Sequence, residues 1–203
     1  IYIYDHTVSS YPYIKDVFKY LRRFITFRAT FESLFTRIKY LYNYKKFLNL
    51  KNVNYFKEKI TFPMKDKIDT DIDKTFSRID KAEEVVLKCD IDGGEYNVID
   101  EILKYSSRIK MLIFEFHLVD DKEEAFLNAM KKIQNNFDII HIHGNNHFPK
   151  LDTGLPLIPE ITLLNKKYIK EKKNYVTNFP IKNLDYPNNP YKEDLVFNFQ
   201  ISE

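Results

Sequence analysis

The stretch from Val85 to Glu95 constrains this chain more than any other. Val85, Val86, Leu87, Cys89 and Ile91 form a nearly continuous apolar run, as expected of a strand buried in a parallel sheet. Asp92, Gly93 and Gly94 break the run. Glu95 then opens a segment in which Val98, Ile99, Ile102 and Leu103 recur at helical spacing. The alternation continues downstream. Residues 111–116 read as a second buried strand and 120–136 as a helix with Phe126, Met130 and Ile133 on one face. Residues 137–143 and 157–164 read as two further strands. Strands alternating with helices mark an α/β protein, so the spacing predicts a mostly parallel central sheet flanked by helices.

The front of the chain is different in texture. A short strand over residues 1–4 ends at Asp5, and no secretory signal is expected, since no charged and apolar leader pattern is read here. Two helices are expected next, one over 14–27 and one carrying Phe31, Leu34, Phe35, Ile38, Leu41 and Tyr42. Residues 53–60 suit an edge strand, and 65–80 a loop with a short helix. The 203 residues suit one domain over 1–203, with residues 11–50 as a helical insertion within it.

Charge is unevenly spread. Residues 11–60 carry twelve Lys/Arg against three Asp/Glu, whereas 61–130 carry ten against seventeen. A basic stretch of this kind suits nucleic acid, anionic lipid or a phosphorylated ligand. Its aromatics fall at helical spacing, so the expectation is a hairpin packed by Phe24, Phe31, Leu34, Phe35 and Ile38, with Lys and Arg in water and no nucleic-acid partner. A single cysteine, Cys89, excludes a disulfide framework and any multi-cysteine metal site, which points to a reducing, cytoplasmic setting. No apolar run approaches the roughly 20 residues of a membrane span.

In open parallel sheets, ligands bind beyond the carboxyl ends of the strands. The residues just past each apolar run are Asp5 and His6; Asp90, Asp92 and Glu95; Glu115 and His117; and His141, His143, Asn145, Asn146 and His147. Asp5 suits a ribose-binding acid or a turn cap. Asp90 and Asp92 suit a substrate site, a divalent-metal pair or helix capping. Gly93 and Gly94 allow a tight turn and close approach by a ligand. Glu115 with His117, and His141 with His143, have the spacing for one face of a strand and suit either general bases or metal ligands.

The segment Leu87, Lys88, Cys89, Asp90, Ile91, Asp92, Gly93, Gly94, Glu95, followed one helix later by Leu112 to His117, resembles the core of the FkbM-type methyltransferases. His141 to Asn146 and Pro159 to Thr162 are similar to that family's closing strands, so the resemblance covers roughly residues 83–165. It implies a Rossmann-like fold that binds S-adenosylmethionine and methylates a hydroxyl, on a small-molecule or glycan acceptor. By position it assigns Asp5 to the cofactor ribose and Asp90 to the methionine end and the acceptor. Asp92 stands where the family often has glutamate, and with Gly93 and Glu95 completes the expected cofactor contacts. The family's glycine-rich first strand and loop have no counterpart within these residues and are expected upstream.

As general base the order of expectation is Asp90, then His117, then His143, with no metal required. Asp90 leads because the end of a buried strand is where desolvation raises a carboxylate. Two other functions fit the same residues. One is a metal-dependent nucleotide-sugar glycosyltransferase using Asp90 and Asp92; the other is a non-catalytic binding domain.

Overall fold

Two short parallel strands, β1 (Tyr2–Tyr4) and β2 (Asn54–Phe56), bracket a pair of helices in the computed structural model, which describes residues 1–7, 9–81, 83–171 and 177–198. Parallel neighbours need a crossover, and here the crossover is the basic segment itself. α1 (Tyr11–Ile25) has Pro12 in its first turn, where a missing N–H leaves nothing unpaired. α2 (Phe31–Leu48) is capped by Thr30, whose hydroxyl accepts from Ser33 N–H at 3.2 Å. The ladder is closed by Asp5 N–H on the Phe56 carbonyl (3.1 Å) and by the Tyr55 hydroxyl on the Asp5 carbonyl (2.7 Å). A second parallel pair, β3 (Lys59–Ile60) and β4 (Asp69–Thr70), completes the unit formed by Ile1–Ile60 and Met64–Thr70.

The hairpin departs from expectation in its packing. Of the five residues expected to fill it, only Leu34 is buried; Phe24, Phe31, Phe35 and Ile38 are exposed. Helical period identifies an apolar stripe, but it does not say whether anything covers that stripe.

The second unit comprises Thr61–Pro63 and the residues from Asp71 onward. It begins with α3 (Ile72–Ser77), capped by the Asp71 carboxylate on Lys74 N–H. Its sheet has β5 (Val85–Cys89), β6 (Ile109–Glu115), β7 (Phe137–Gly144) and β8 (Pro159–Asn165) in the order β5-β6-β8-β7. β5 and β6 are parallel and joined through α4 (Glu95–Leu103). α5 (Glu123–Ile133) leads from β6 to β7, and β8 returns between those two, antiparallel to both. Three strands therefore point one way and one is reversed, giving a mixed α/β sheet.

α4 and α5 cover one sheet face together. Phe116 meets the rings of Tyr96 from α4 and Phe126 from α5, and Lys132 bridges to Asp100 at 2.8 Å. Leu112, Phe114, Ile161 and Leu163 supply the buried strand side of this core, each worth about 1.5–3 kcal/mol on burial. No helix among the described residues is long and apolar enough to cross a membrane.

One strand is not where its composition suggests. The run at 85–91 reads as doubly buried, yet β5 is at the edge of its sheet and Val86 is 58% exposed. The central strands are β6 and β8. Beyond β8, β9 (Asn178–Phe179) and β10 (Phe197–Asn198) pair antiparallel, with Phe179 stacked on Phe197.

Candidate functional site

The chain leaves β5 through a tight turn in which Asp92 (φ 52°) and Gly93 (φ 91°) both take left-handed conformations. A side chain at Gly93 would be strained by that φ and would stand 3.0 Å from Leu118 Cδ1. Leu118 is itself left-handed, at φ 57°. Strained backbone gathered at one rim is a frequent property of functional sites.

Glu95 holds this turn from inside. It is fully buried, and its Oε1 accepts from Ile91 N–H (2.9 Å) and Gly93 N–H (3.2 Å). The same oxygen lies 3.1 Å from His117 Nδ1. With the carboxylate as acceptor, Nδ1 carries the hydrogen and Nε2 presents its lone pair. That nitrogen is 3.9 Å from Asp92 Oδ1 and 4.0 Å from Glu115 Oε1. Glu95, expected among the cofactor contacts, thus acts through the turn and the imidazole.

Asp90 departs from the environment expected for a desolvated base. It is exposed at the end of the edge strand and pairs with Lys88 Nζ at 3.1 Å. The carboxyl that burial pushes up is Glu115, with the Asn145 amide opposing and Asp90 and Glu160 adding to the rise. Asp90, Glu115 and His117 place ligand atoms within 4.8 Å of one another, a group able to hold a divalent ion. Of the Asp90/Asp92 pair expected for a metal, Asp90 belongs to this group and Asp92, whose side chain is 97% exposed, does not. A carboxylate on the far nitrogen of the histidine, as Glu95 is here, also orients metal-binding imidazoles.

Across the same rim is a second cluster. His143, at the end of β7, meets Glu160 Oε2 through Nδ1 (2.9 Å) and Asp194 through Nε2 (3.1 Å). The hydrogen bond to Glu160, then Asp194, holds its pKa up to about 9 despite burial, and Glu160 is correspondingly lowered. His141 Nε2 is 2.7 Å from Asp185. Lys88, Glu115, Glu160, His141, His143 and Asp185 border a cleft of about 410 Å³, a volume suited to a small molecule.

The other rim residues have structural tasks. Asn146 binds the carbonyls of Asn189, Lys192 and Glu193, tying down the C-terminal segment. His147 is exposed and donates its backbone N–H to Asn145. Asp5 lies in the first unit, where its Oδ1 accepts from the N–H and hydroxyl of Thr7, both at 2.7 Å, closing a turn. Burial pushes the Cys89 thiol up, which keeps it protonated. Asp185 and Asp194 carry no sequence signal, lying in a polar segment 44 and 51 residues from their histidines.

Glu95→Ala is expected to destabilise the second unit by about 2–6 kcal/mol, since two backbone donors, the buried Gly93 N–H and the half-buried Ile91 N–H, lose their acceptor at about 1–3 kcal/mol each. Chemical denaturation measures this. A loss below about 1 kcal/mol would mean that the turn holds without the carboxylate.

Comparison with protein-family models, curated proteins and solved structures yields no significant match to this chain.

Proposed function

We propose that the second unit is a Rossmann-like S-adenosylmethionine-dependent O-methyltransferase acting on a small or sugar-like hydroxyl. The observation that carries this is the Glu95–His117 pair, which aims an imidazole Nε2 between Asp92 and Glu115 at the carboxyl end of β5 and β6. Carboxylates gathered there suit a cationic donor, and Asp90 and Asp92 would face its methionine end. When bound, S-adenosylmethionine supplies a methyl group on a sulfonium. The protein aligns the acceptor, and the hydroxyl proton passes to His117 Nε2.

His117 therefore moves ahead of Asp90 as the base. Asp90 is engaged by Lys88, and an imidazole held at about pKa 9, as His143 is, already carries its proton at neutral pH. The cleft beside Glu115 gives the acceptor a polar pocket. Asp5 has no part in this scheme, which rests on the second unit alone.

One observation favours a second function. The Asp90, Glu115 and His117 group suits manganese, as a nucleotide-sugar glycosyltransferase would need. Thermal shift on the full-length protein separates the two. S-adenosylmethionine at a hundredfold excess over its Kd is expected to stabilise by about 2.7 kcal/mol, with no shift from nucleotide-sugar plus manganese. The reverse pattern would replace methyl transfer by glycosyl transfer. No shift with either leaves the binding-domain function.

A further inference from the structure

Among its own described residues, the first unit leaves an amphipathic surface without a partner. α1 meets α2 along Tyr13 and Tyr20, which contact Tyr44 (4.7 Å) and Arg37 (4.6 Å) respectively. The numbers run in opposite directions, so the helices are antiparallel. Roughly 80–160° around α1 from this seam, at 3.6 residues per turn, lies the row Tyr11, Phe18, Leu21 and Ile25. A comparable rotation on α2 reaches Phe31, Phe35, Ile38 and Tyr42. Both rotations have the same sense along their own helix. Antiparallel packing mirrors them in space, which brings both rows to one side of the hairpin.

That side is exposed. Phe18 is 66% and Phe31 67% accessible, and no residue of α1 is buried. Phe27, at the turn between the helices, is left-handed (φ 55°) and 97% exposed. Cations border the rows: Lys15 and Arg22 beside that of α1, Lys39 and Lys46 beside that of α2, and Arg28 at the tip, all exposed.

We infer that this face docks on an anionic lipid bilayer, aromatic rows in the headgroup boundary and lysines and arginines on the acidic lipid heads. Helices that lie on membranes combine an apolar face with such basic flanks. Charge complementarity selects this occupant. A second copy would oppose two surfaces drawn from a segment with twelve Lys/Arg against three Asp/Glu. Nucleic acid would match the charge but leave Leu21, Ile25 and Ile38 against a polar backbone. The inference is independent of the methyl-transfer proposal.

The chain contains no tryptophan, so Phe27→Trp gives a single reporter at the tip. With phosphatidylcholine vesicles containing phosphatidylserine, its emission is expected to shift to the blue and the full chain to sediment with the vesicles. Added salt should weaken both. Lys15→Glu with Arg22→Glu should reduce partitioning by more than about tenfold. Phe18→Ser with Phe35→Ser, both at exposed positions, should abolish it without changing the circular dichroism spectrum. Equal binding to neutral vesicles, or none to either, would overturn the inference. So would a blue shift that appears without lipid as the protein is concentrated, which would assign the face to a second copy. Tight, salt-sensitive RNA binding with no vesicle binding would assign it to nucleic acid.

Discussion

Replacing His117 by glutamine is expected to lower turnover of the full-length protein by roughly 10²–10⁴-fold while leaving its affinity for S-adenosylmethionine unchanged. The reason is geometric. Glu95 Oε1 fixes Nδ1, so the other ring nitrogen alone faces the rim, between Asp92 and Glu115. Glutamine keeps the bulk and a polar end but accepts no proton. Asp90→Asn is the internal comparison, because Asp90 stands at the same rim but is engaged by Lys88. Turnover and calorimetric affinity, measured on both variants, separate the roles. If His117→Gln turned over normally and Asp90→Asn did not, the proton would go to Asp90. Lost affinity with normal turnover at saturation would make His117 a cofactor contact.

Stability of the second unit is expected to fall as pH rises from 6.5 to about 9, following the proton on His143. Its ordinary value is 6.5, and Glu160 and Asp194 hold the folded-state value up at about 9. A raised pKa means that the folded protein binds the proton more tightly than the unfolded chain does. The contribution is thus complete below pH 6.5 and gone above about 9, on the order of 3 kcal/mol in all. The side chain is only 8% exposed, so solvent screening takes little from this. The lowered pKa of Glu160 reports the same contact from the acid side: that stability is lost as pH falls below the ordinary carboxylate range. Denaturation midpoints across pH 6–10 measure the slope, and His143→Gln should flatten it. An unchanged slope in that variant would assign the alkaline loss to another group.

Sequence patterns reached the strands and helices of residues 85–165 because period and apolar runs are local properties. Strand order is not local. Nothing in Val85 to Cys89 says that β5 lies at an edge, and nothing in Pro159 to Asn165 says that β8 returns between β6 and β7. The rim itself was legible, since strand ends collect polar residues wherever the strands go. Individual roles within it depended on partners far along the chain. Glu95 reads as a helix-opening acid until His117, 22 residues later, is placed against it. His143 resembles any strand histidine until Asp194 arrives from a segment with no periodicity. The α1–α2 hairpin shows the opposite failure, because its stripes were visible but their exposure was not.

The crossover between β1 and β2 has a consequence for chain entropy. Pairing Tyr4 with Phe56 and Tyr2 with Asn54 closes about fifty residues, on the order of 3.5 kcal/mol by the logarithmic loop law. Once Tyr13 is stacked on Tyr44, the chain left to close is only the two tails outside that contact, about twenty residues in all. The closure term then falls by roughly 1 kcal/mol. The helix pair therefore acts as an internal brace, and a three-residue parallel ladder too short to hold fifty loose residues together becomes sustainable because most of them are already paired with each other.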